Sequence, residues 1–252
     1  MPDSVSRQVK GTQVAENTPG EWRPKRSSRL SADVAADVVD RIVRGSLPPG
    51  TTLPNEAGLC EYYDVSRPVV REALKVVEQK GLIRIRQGDG TTVRPREEWI
   101  LLNADVLRIS LEMDESGTLR RDVLTLRKDL EMSMVERSAG RYTDDDFAEL
   151  DRLLDRMDAA TEWFAVQAID DDVHRLIHRV SGNEVARAIV YQLVNEVRNM
   201  DALSFTREEY DESNASLRRV RDRLREGDGA AAAAAMGEHI TGSWFFGRGQ
   251  QD

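Results

Sequence analysis

A change of period at Gly81 constrains the fold of this chain more than any other sequence feature. Before it, apolar residues recur at helical spacing over residues 66–80. After it, residues 82–86 alternate between apolar and basic side chains, residues 87–90 form a glycine-containing turn, and residues 91–93 return as a β-branched strand. The pattern therefore predicts a helix followed by a two-stranded ribbon.

Two further helices are predicted before this unit. Ser31 is expected to cap the first of them, and residues 47–50 end it, because neither proline there can continue a helix. Asn55 is expected to open a second helix that runs through Tyr62, and Ser66 to cap the third. Helix, helix, turn, helix and ribbon, in this order and length, predict a winged helix-turn-helix domain.

The remainder of the chain is predicted to form about six or seven helices, because almost no strand signal follows residue 97 and helix N-caps are predicted at residues 118, 143, 161, 183 and 228. The fold class is therefore mainly α, with an N-terminal winged helix-turn-helix and a C-terminal all-α helical bundle. The predicted boundaries are residues 1–28 for a disordered arm, 29–96 for the winged helix, 97–246 for the bundle and 247–252 for a tail.

Charge is divided unevenly between the two parts. Residues 21–96 carry 14 basic and 10 acidic side chains, net +4, whereas residues 97–252 carry 20 basic and 33 acidic, net −13. A basic module suits phosphate neutralisation, so the asymmetry favours a nucleic-acid partner over ordinary scatter. A single cysteine, Cys60, excludes a disulfide framework, and no apolar run approaches the roughly 20 residues of a membrane helix. We expect a cytoplasmic protein without membrane association.

The start of the third predicted helix carries the residues best suited to reading DNA. Arg67 and Arg71 lie one helical turn apart on one face, while Val70, Leu74 and Val77 face inward. An arginine that pairs bidentately with a guanine edge contributes about 1–3 kcal/mol of discrimination. Two solvated arginines are the alternative for an isolated helix. Within a helix-turn-helix followed by a wing, the pattern indicates DNA contact.

The stretch from residue 30 to residue 93 resembles the winged-helix domain of the GntR family of bacterial transcription regulators. The matching segments are residues 45–50, 53–56, 65–74 and 81–83. This resemblance implies base and phosphate contacts by Ser66, Arg67, Val69, Arg71 and the wing-tip residues Gln87 and Gly88. Two departures, Ala57 in place of a usual arginine and Asp89 in place of a basic wing residue, predict weaker non-specific binding or a differently read operator.

The helical bundle is similar to the FCD effector domain of the FadR branch of that family. Its landmarks are residues 126–131, 170–174, 181–183, 226–228 and 235–239. A shorter likeness, over residues 99–107, is to regulators that respond to sugar acids. The resemblance implies a homodimer that binds a palindromic double-stranded DNA operator, represses a metabolic operon and responds to a small organic or sugar acid.

One helix of the bundle carries a possible metal-binding pair. Asp170 and His174 stand four residues apart, so both side chains lie on one helix face, where they can share a divalent metal. A surface Asp–His pair is the alternative. The resemblance adds His239 as a third ligand for one divalent ion (Zn, Ni, Fe or Mn), but it places Leu217 where another histidine is expected. We expect His178 to be a core or rim histidine.

Arg127 is the candidate effector-binding residue. It lies on the inner face of an otherwise apolar helix, where a guanidinium needs an anionic partner. That partner is either Glu131, one turn later, or the effector carboxylate, which the resemblance implies is gripped bidentately.

We expect no enzymatic activity, because the sequence holds no phosphate-binding glycine loop and no G-x-S-x-G nucleophile motif. Two other hypotheses remain open. Leu217 favours an effector-independent DNA-binding regulator with a degenerate pocket. A metal-dependent enzyme with an accessory winged helix is the third hypothesis, for which no general base beside a complete metal site can be named.

Overall fold

A computed structural model of the chain describes residues 26–86, 88–198 and 207–242. These residues form ten α-helices and one two-stranded sheet, which confirms the predicted mainly α fold class. The elements in chain order are α1 (Arg26–Val43), α2 (Glu56–Tyr63), α3 (Arg67–Gln79), β1 (Ile83–Arg86), β2 (Gly90–Val93), α4 (Ala104–Glu112), α5 (Thr118–Ser138), α6 (Asp144–Ala159), α7 (Trp163–Ser181), α8 (Glu184–Arg198), α9 (Arg207–Arg225) and α10 (Gly229–Gly242).

The N-terminal domain is a winged helix-turn-helix, in which α1 and α2 pack against the buried face of α3. Val70, Leu74 and Val77 are each at most 3% exposed, as their spacing predicts. The prediction that Ser31 caps α1 is wrong, because the helix already begins at Arg26. Ser31 is buried within it, and its hydroxyl donates a hydrogen bond to the carbonyl of Ser28. The predicted tail and most of the predicted arm lie outside the described residues.

The wing is an antiparallel ribbon extended by a third segment that the sequence analysis did not identify. β1 and β2 pair in the register Ile83 to Val93 and Arg86 to Gly90. Residues 51–53 add main-chain hydrogen bonds on the other side of β2, from Leu53 N to Thr91 O at 2.8 Å and from Val93 N to Thr51 O at 2.9 Å. These bonds hold the loop after α1 on the wing, so the wing is tied to two parts of the domain.

Gly81 is required where α3 turns into the wing. Its φ of +74° lies in the left-handed region that glycine adopts most readily. A Cβ at this position would lie 2.9 Å from the carbonyl oxygen of Glu98 and 3.1 Å from the backbone nitrogen of Ile100. Glycine therefore allows both the turn and the close approach of the chain that leads to α4.

The C-terminal domain consists of helices packed around α5 and α10. α5 contacts α7, α8 and α10, and α10 also packs on α9. Its main apolar core is formed by α5, α6, α7, α9 and α10 and includes Leu154, Ile177, Leu217 and Met236. Among the described residues, no helix combines the length and apolar character needed to cross a bilayer.

Helix α4 belongs to both domains. Val106 and Ile109 pack in the core of the winged helix, whereas Leu107 and Leu111 pack with Val123 and Leu193 of the helical bundle. The predicted boundary between residues 96 and 97 assigns α4 to the bundle alone, but its apolar residues face two cores. Lys80 at the end of α3 also donates to Asp105 of α4, with Nζ 2.6 Å from Oδ2. One helix therefore packs in the cores of both domains.

Candidate functional site

The exposed face of α3 begins with a polar, basic turn. Ser66 is the N-cap residue, with extended backbone angles and a side chain that makes no capping hydrogen bond, so its hydroxyl is available to other partners. Arg67 and Arg71 are exposed one turn apart, as predicted. The buried residues of α3 fix this face outward, and its first turn therefore offers two guanidinium groups and a hydroxyl.

Two residues of this predicted set, Val69 and Arg71, are constrained by their neighbours in the winged helix. Val69 is only 5% exposed, because position 69 lies toward the packed side of α3, so it presents little surface to a base. Arg71 is held by Glu56 of α2, with its Nε 2.9 Å from both carboxylate oxygens. Glu56 was not identified from sequence. Its carboxylate orients Arg71 and reduces the net positive charge on the exposed face of α3. The hydrogen bond from Arg71 lowers the pKa of Glu56.

The tip of the wing is exposed and built on glycines. Gly88 and Gly90 have φ of +91° and +89°, so the turn between β1 and β2 depends on residues without a side chain. Asp89 is exposed at this tip, which is the charge expected to weaken phosphate contact. Gln87 lies outside the described residues. Arg86, at the end of β1, is exposed beside the tip and adds a basic group that the sequence analysis did not single out.

A buried cluster of charged and histidine side chains lies between α5, α7 and α10. Arg127 and Glu131 come from α5, and their side chains are 6% and 1% exposed. Arg127 Nε donates to Glu131 Oε1 at 2.6 Å, so the inward guanidinium has the internal partner that the sequence allowed. The other Glu131 oxygen contacts His174 Nδ1 and lies 3.1 Å from His178 Nε2. Glu131 is therefore the carboxylate that joins α5 to α7.

The three predicted metal ligands lie close together in this cluster, around the Nε2 nitrogen of His174. His174 Nε2 lies 3.2 Å from His239 Nε2 and 3.8 Å from Asp170 Oδ2, and His239 Nε2 lies 3.5 Å from Asp170 Oδ1. Glu131, His174 and His178 form a second group of neighbouring donors, so His174 is shared by both groups. The structure thus extends the predicted set by one carboxylate and one imidazole.

The hydrogen bonds around His239 assign its tautomer. Ser216 of α9 donates its hydroxyl proton to the carbonyl of Ser213 at 2.6 Å, so its oxygen accepts from His239 Nδ1 at 2.8 Å. His239 Nε2 therefore carries a lone pair directed at His174 and Asp170. A ligand nitrogen fixed by a hydrogen bond on the other ring nitrogen is the usual arrangement of histidines that bind metals.

The protonation of the cluster follows from burial and neighbouring charge. Burial alone would raise the pKa of Glu131, but His174 and Arg127 lower it well below its ordinary value of 4.5. Burial alone would lower the pKa of His174, but the carboxylates of Glu131 and Asp170 raise it. For His239, burial lowers the pKa, and the nearby Asp170 only partly opposes this. In the absence of a metal, the pKa of His174 therefore lies above that of His239.

The donor set was tested against the geometry of a divalent metal site. Zinc–nitrogen bonds of about 2.0–2.1 Å in a tetrahedral site place two ligand nitrogens about 3.3–3.4 Å apart, close to the 3.2 Å between His174 and His239. Leu217 is 1% exposed in the apolar core and supplies no ligand, as its identity predicts. Asp170, His174 and His239 therefore fit an ion with three protein ligands and open coordination positions.

A cavity of about 230 Å³ opens beside the buried cluster. One side is formed by α5 and α7, including Arg127, Glu131, His174 and His178, and the opposite side by α8. The sequence did not identify the α8 residues, because an arginine or tyrosine on the polar face of an amphipathic helix is typical of the solvent-exposed surface. They are Arg187, Val190, Tyr191, Val194 and Asn195.

Comparison with known proteins gives the following matches. Residues 30–93 match bacterial regulatory proteins of the gntR family, and residues 122–242 match the FCD domain. The galactonate operon transcriptional repressor of Escherichia coli K12 is 35% identical over 117 residues, 46% of this chain and 51% of that protein. The uncharacterized HTH-type transcriptional regulator YieP of the same strain is 32% identical over 157 residues, 61% of this chain and 68% of YieP.

Among solved structures, that of Lar, which controls the expression of the Listeria monocytogenes agr system, superposes with a TM-score of 0.51 at 15% identity. The superposition covers 84% of this chain and 93% of Lar. This likeness supports the fold alone: a winged helix followed by a helical domain.

Proposed function

Because the chain belongs to the gntR family of bacterial regulatory proteins, we propose that it is a DNA-binding repressor of a metabolic operon that responds to a small organic or sugar acid. The observation that carries the proposal is the exposed first turn of α3, with Arg67 and Arg71 one turn apart beside a wing. The similarity to a galactonate operon repressor supports both the sign of regulation and the class of effector.

In the proposed complex, the first turn of α3 enters the major groove of the operator. Ser66, Arg67 and Arg71 contact bases and phosphates, and Gly88 with Gln87 brings the wing to the backbone. The buried Val69 is left out of this set. The chain acts as a homodimer, so two heads read a palindromic site. Because its target is chromosomal DNA, it works in the cytoplasm.

The DNA interface is tested by replacing Arg67 with alanine. An operator is first selected from a random duplex library with the wild-type protein, and its affinity is then measured by gel shift. We expect Arg67→Ala to weaken binding about 10-fold to 100-fold, since a lost bidentate base contact costs about 1–3 kcal/mol. The control is Arg152→Ala, which removes a side chain of α6 that is 69% exposed. It should leave operator binding unchanged. Wild-type affinity of Arg67→Ala would refute the interface.

The effector binds in the cavity between α5, α7 and α8. Arg127 and His174 line this cavity and are proposed to hold the carboxylate of the effector. Asp170 and His239 are not among the lining residues, and they complete the donor set through their contacts with His174. A divalent cation bound there would supply a Lewis-acidic anchor for one carboxylate oxygen. Glu131 keeps Arg127 and His174 in position, and Ser216 keeps the His239 lone pair directed at the site.

Metal binding is tested with purified, chelator-stripped protein titrated with Co²⁺, whose absorption spectrum reports its ligands. We expect binding in the wild type and loss in His239→Ala. His178→Gln separates the two donor groups, because His178 belongs only to the group with Glu131. It should keep the Co²⁺ spectrum if Asp170, His174 and His239 form the site, and unchanged binding in His239→Ala would contradict that assignment.

A second candidate function is an effector-independent regulator, and Leu217 favours it because the expected fourth ligand is replaced by a buried apolar side chain. The two candidates differ in one measurement. Thermal unfolding with a panel of sugar acids and small carboxylates separates them, since a ligand that binds the folded state raises the melting temperature by mass action. If no acid in the panel changes either the melting temperature or operator affinity, the effector-independent function holds.

A further inference from the structure

We infer that the effector is a small dianion, such as a sugar diacid, and that Arg187 of α8 binds its second anionic group. This inference rests on the proposed function, because it concerns the same cavity. It identifies a specificity-determining residue outside the predicted effector and metal set. The argument depends on which of the cations around the cavity already have an internal partner.

The buried side of the cavity is suited to one carboxylate. Arg127 is 5% exposed and already donates to Glu131, so its charge is largely balanced within the protein. His174 and His178 share the other oxygen of the same carboxylate. This side of the cavity can therefore balance little additional negative charge, and we expect it to bind one carboxylate.

Arg187, on the opposite side, has no such partner. It is exposed, it lines the same cavity, and it makes no ion pair with any residue in the described part of the chain. Arg175, another cavity-lining arginine, differs because its NH2 nitrogen lies 2.8 Å from Asp172 Oδ1. Two carboxylates, Glu131 and Asp171, also line the cavity, but neither forms an ion pair with Arg187. A planar guanidinium that faces a cavity without such a pair is suited to bidentate binding of an anionic ligand group.

The other residues that α8 contributes to the cavity are suited to a carbon chain. Tyr191 lies one helical turn after Arg187, lines the cavity and is 61% exposed. Val190 and Val194 continue this wall with apolar surface, and Asn195 adds an amide. The cavity of about 230 Å³ is smaller than the roughly 300–1,000 Å³ of pockets for drug-sized ligands. A site for one carboxylate beside Arg127 and His174, a second guanidinium at Arg187 and apolar surface on α8 together suit a short acid with two anionic groups.

The experiment compares acids that differ only in the second acid group. The full chain is titrated calorimetrically with galactonate and galactarate, gluconate and glucarate, and butyrate and succinate. We expect the diacid of at least one pair to bind about tenfold more tightly than its monoacid. Arg187→Ala should reduce this ratio to about one without weakening the monoacid, and Arg187→Lys should retain part of the preference, because it keeps the charge but loses the fork.

Arg152→Ala is the matched control, since it removes an exposed arginine outside the cavity, and it should keep the full diacid preference. Equal affinity for both members of every pair would overturn the inference while leaving an acid-responsive regulator intact. A diacid preference that survives in Arg187→Ala would overturn the role of Arg187. If no acid of the panel binds at all, both this inference and the acid-responsive function fail.

Discussion

Glu131 shows how one residue holds several others in place. Its two oxygens contact Arg127, His174 and His178, and its side chain is 1% exposed. A carboxylate at this depth is tolerated because cations and N–H groups surround it. Removing it takes the main counter-charge from the buried Arg127 and the Nδ1 partner from His174, so the stability of this domain depends on the side chain.

We expect Glu131→Ala to lower the free energy of unfolding by about 3–5 kcal/mol, the usual cost of removing one partner of a buried ion pair. Urea denaturation followed by circular dichroism measures it. Glu149→Ala serves as the control, because Glu149 pairs with Arg152 on the surface, where ion pairs contribute about 0–1 kcal/mol. Equal losses for the two variants would show that the buried cluster is not a source of stability.

The same cluster predicts a pH dependence for the metal-free protein. The lowered pKa of Glu131 contributes stability above its unfolded value of 4.5, and this is lost as the pH falls through the folded pKa. The raised pKa of His174 contributes stability below its unfolded value of 6.5, and this is lost as the pH rises through the folded pKa. The lowered pKa of His239 acts in the opposite direction, because it contributes stability above its unfolded value of 6.5 that is lost as the pH falls through the folded pKa. With chelator present, the difference in unfolding free energy between the wild type and Glu131→Gln should therefore be greatest between about pH 4.5 and 6.5, where Glu131 and His174 both contribute fully.

Backbone conformation gives a matched pair of glycine predictions. Gly81 and Gly45 have similar φ, +74° and +84°, but a Cβ at Gly81 meets the Glu98 carbonyl whereas at Gly45 it meets nothing within 4 Å. Gly45→Ala should cost about 1 kcal/mol from the left-handed conformation alone. Gly81→Ala should cost about 2–3 kcal/mol, since the chain leading to α4 must also move. Thermal denaturation of the two variants measures the difference, and equal costs would refute the crowding argument.

At the scale of elements, most predictions that rest on a local signal were confirmed, and the cap predicted at Ser31 is the exception. The end of α3, the ribbon and the N-cap at Asn55 follow from residues close together in the chain. The pairing of residues 51–53 with β2 was not predicted, because their partners are about 40 residues away and the segment lacks an alternating pattern.

The candidate site shows the same limit. Asp170 and His174 are related by helical spacing, but the contact of His174 with Glu131 spans 43 residues and depends on how α5 packs on α7. The wall formed by α8 was missed for this reason too. Arg187 is an ordinary surface arginine until the packing of α8 beside α7 places it on a cavity.

The double role of α4 predicts that two neighbouring substitutions loosen different domains. Ile109→Ala removes a residue that is 2% exposed in the winged-helix core, and Leu107→Ala removes one that is 1% exposed against α5 and α8. Each should destabilise the protein by about 2–5 kcal/mol. Hydrogen exchange should quicken in α1 and α3 for Ile109→Ala, but in α5 and α8 for Leu107→Ala. The same exchange pattern in both variants would contradict the two-sided packing.

At the scale of the whole molecule, packed helices join the cavity to the DNA-binding domain. The cavity is bounded by α8, α8 packs on α4, and α4 packs on α1 beside α3. We expect a change in α8 on effector binding to reach the DNA-binding domain through these contacts. Coupling of this kind is reciprocal by thermodynamic necessity.

We expect the acid that gives the largest thermal shift to lower operator affinity by about 5-fold to 150-fold, the usual range of allosteric coupling. Operator DNA should then weaken binding of the acid by the same factor. Fluorescence anisotropy with and without the acid, and calorimetry with and without the operator, measure the two factors. Non-specific DNA of equal length is the control, and a large effect in only one direction would rule out a simple linked equilibrium.

The two-sided packing of α4 also has a consequence for building chimeric regulators. A graft that joins a foreign sensor domain to this DNA-binding domain at residue 97 would bring in a foreign α4. The residues at its positions 106 and 109, where this chain has Val106 and Ile109, would be adapted to pack on a different DNA-binding domain. A graft made after Glu112 would leave Leu107 and Leu111 packed against a sensor domain to which they are not adapted. Either junction exchanges half of an interface, so a working biosensor based on this scaffold needs a redesigned α4 with one face from each parent.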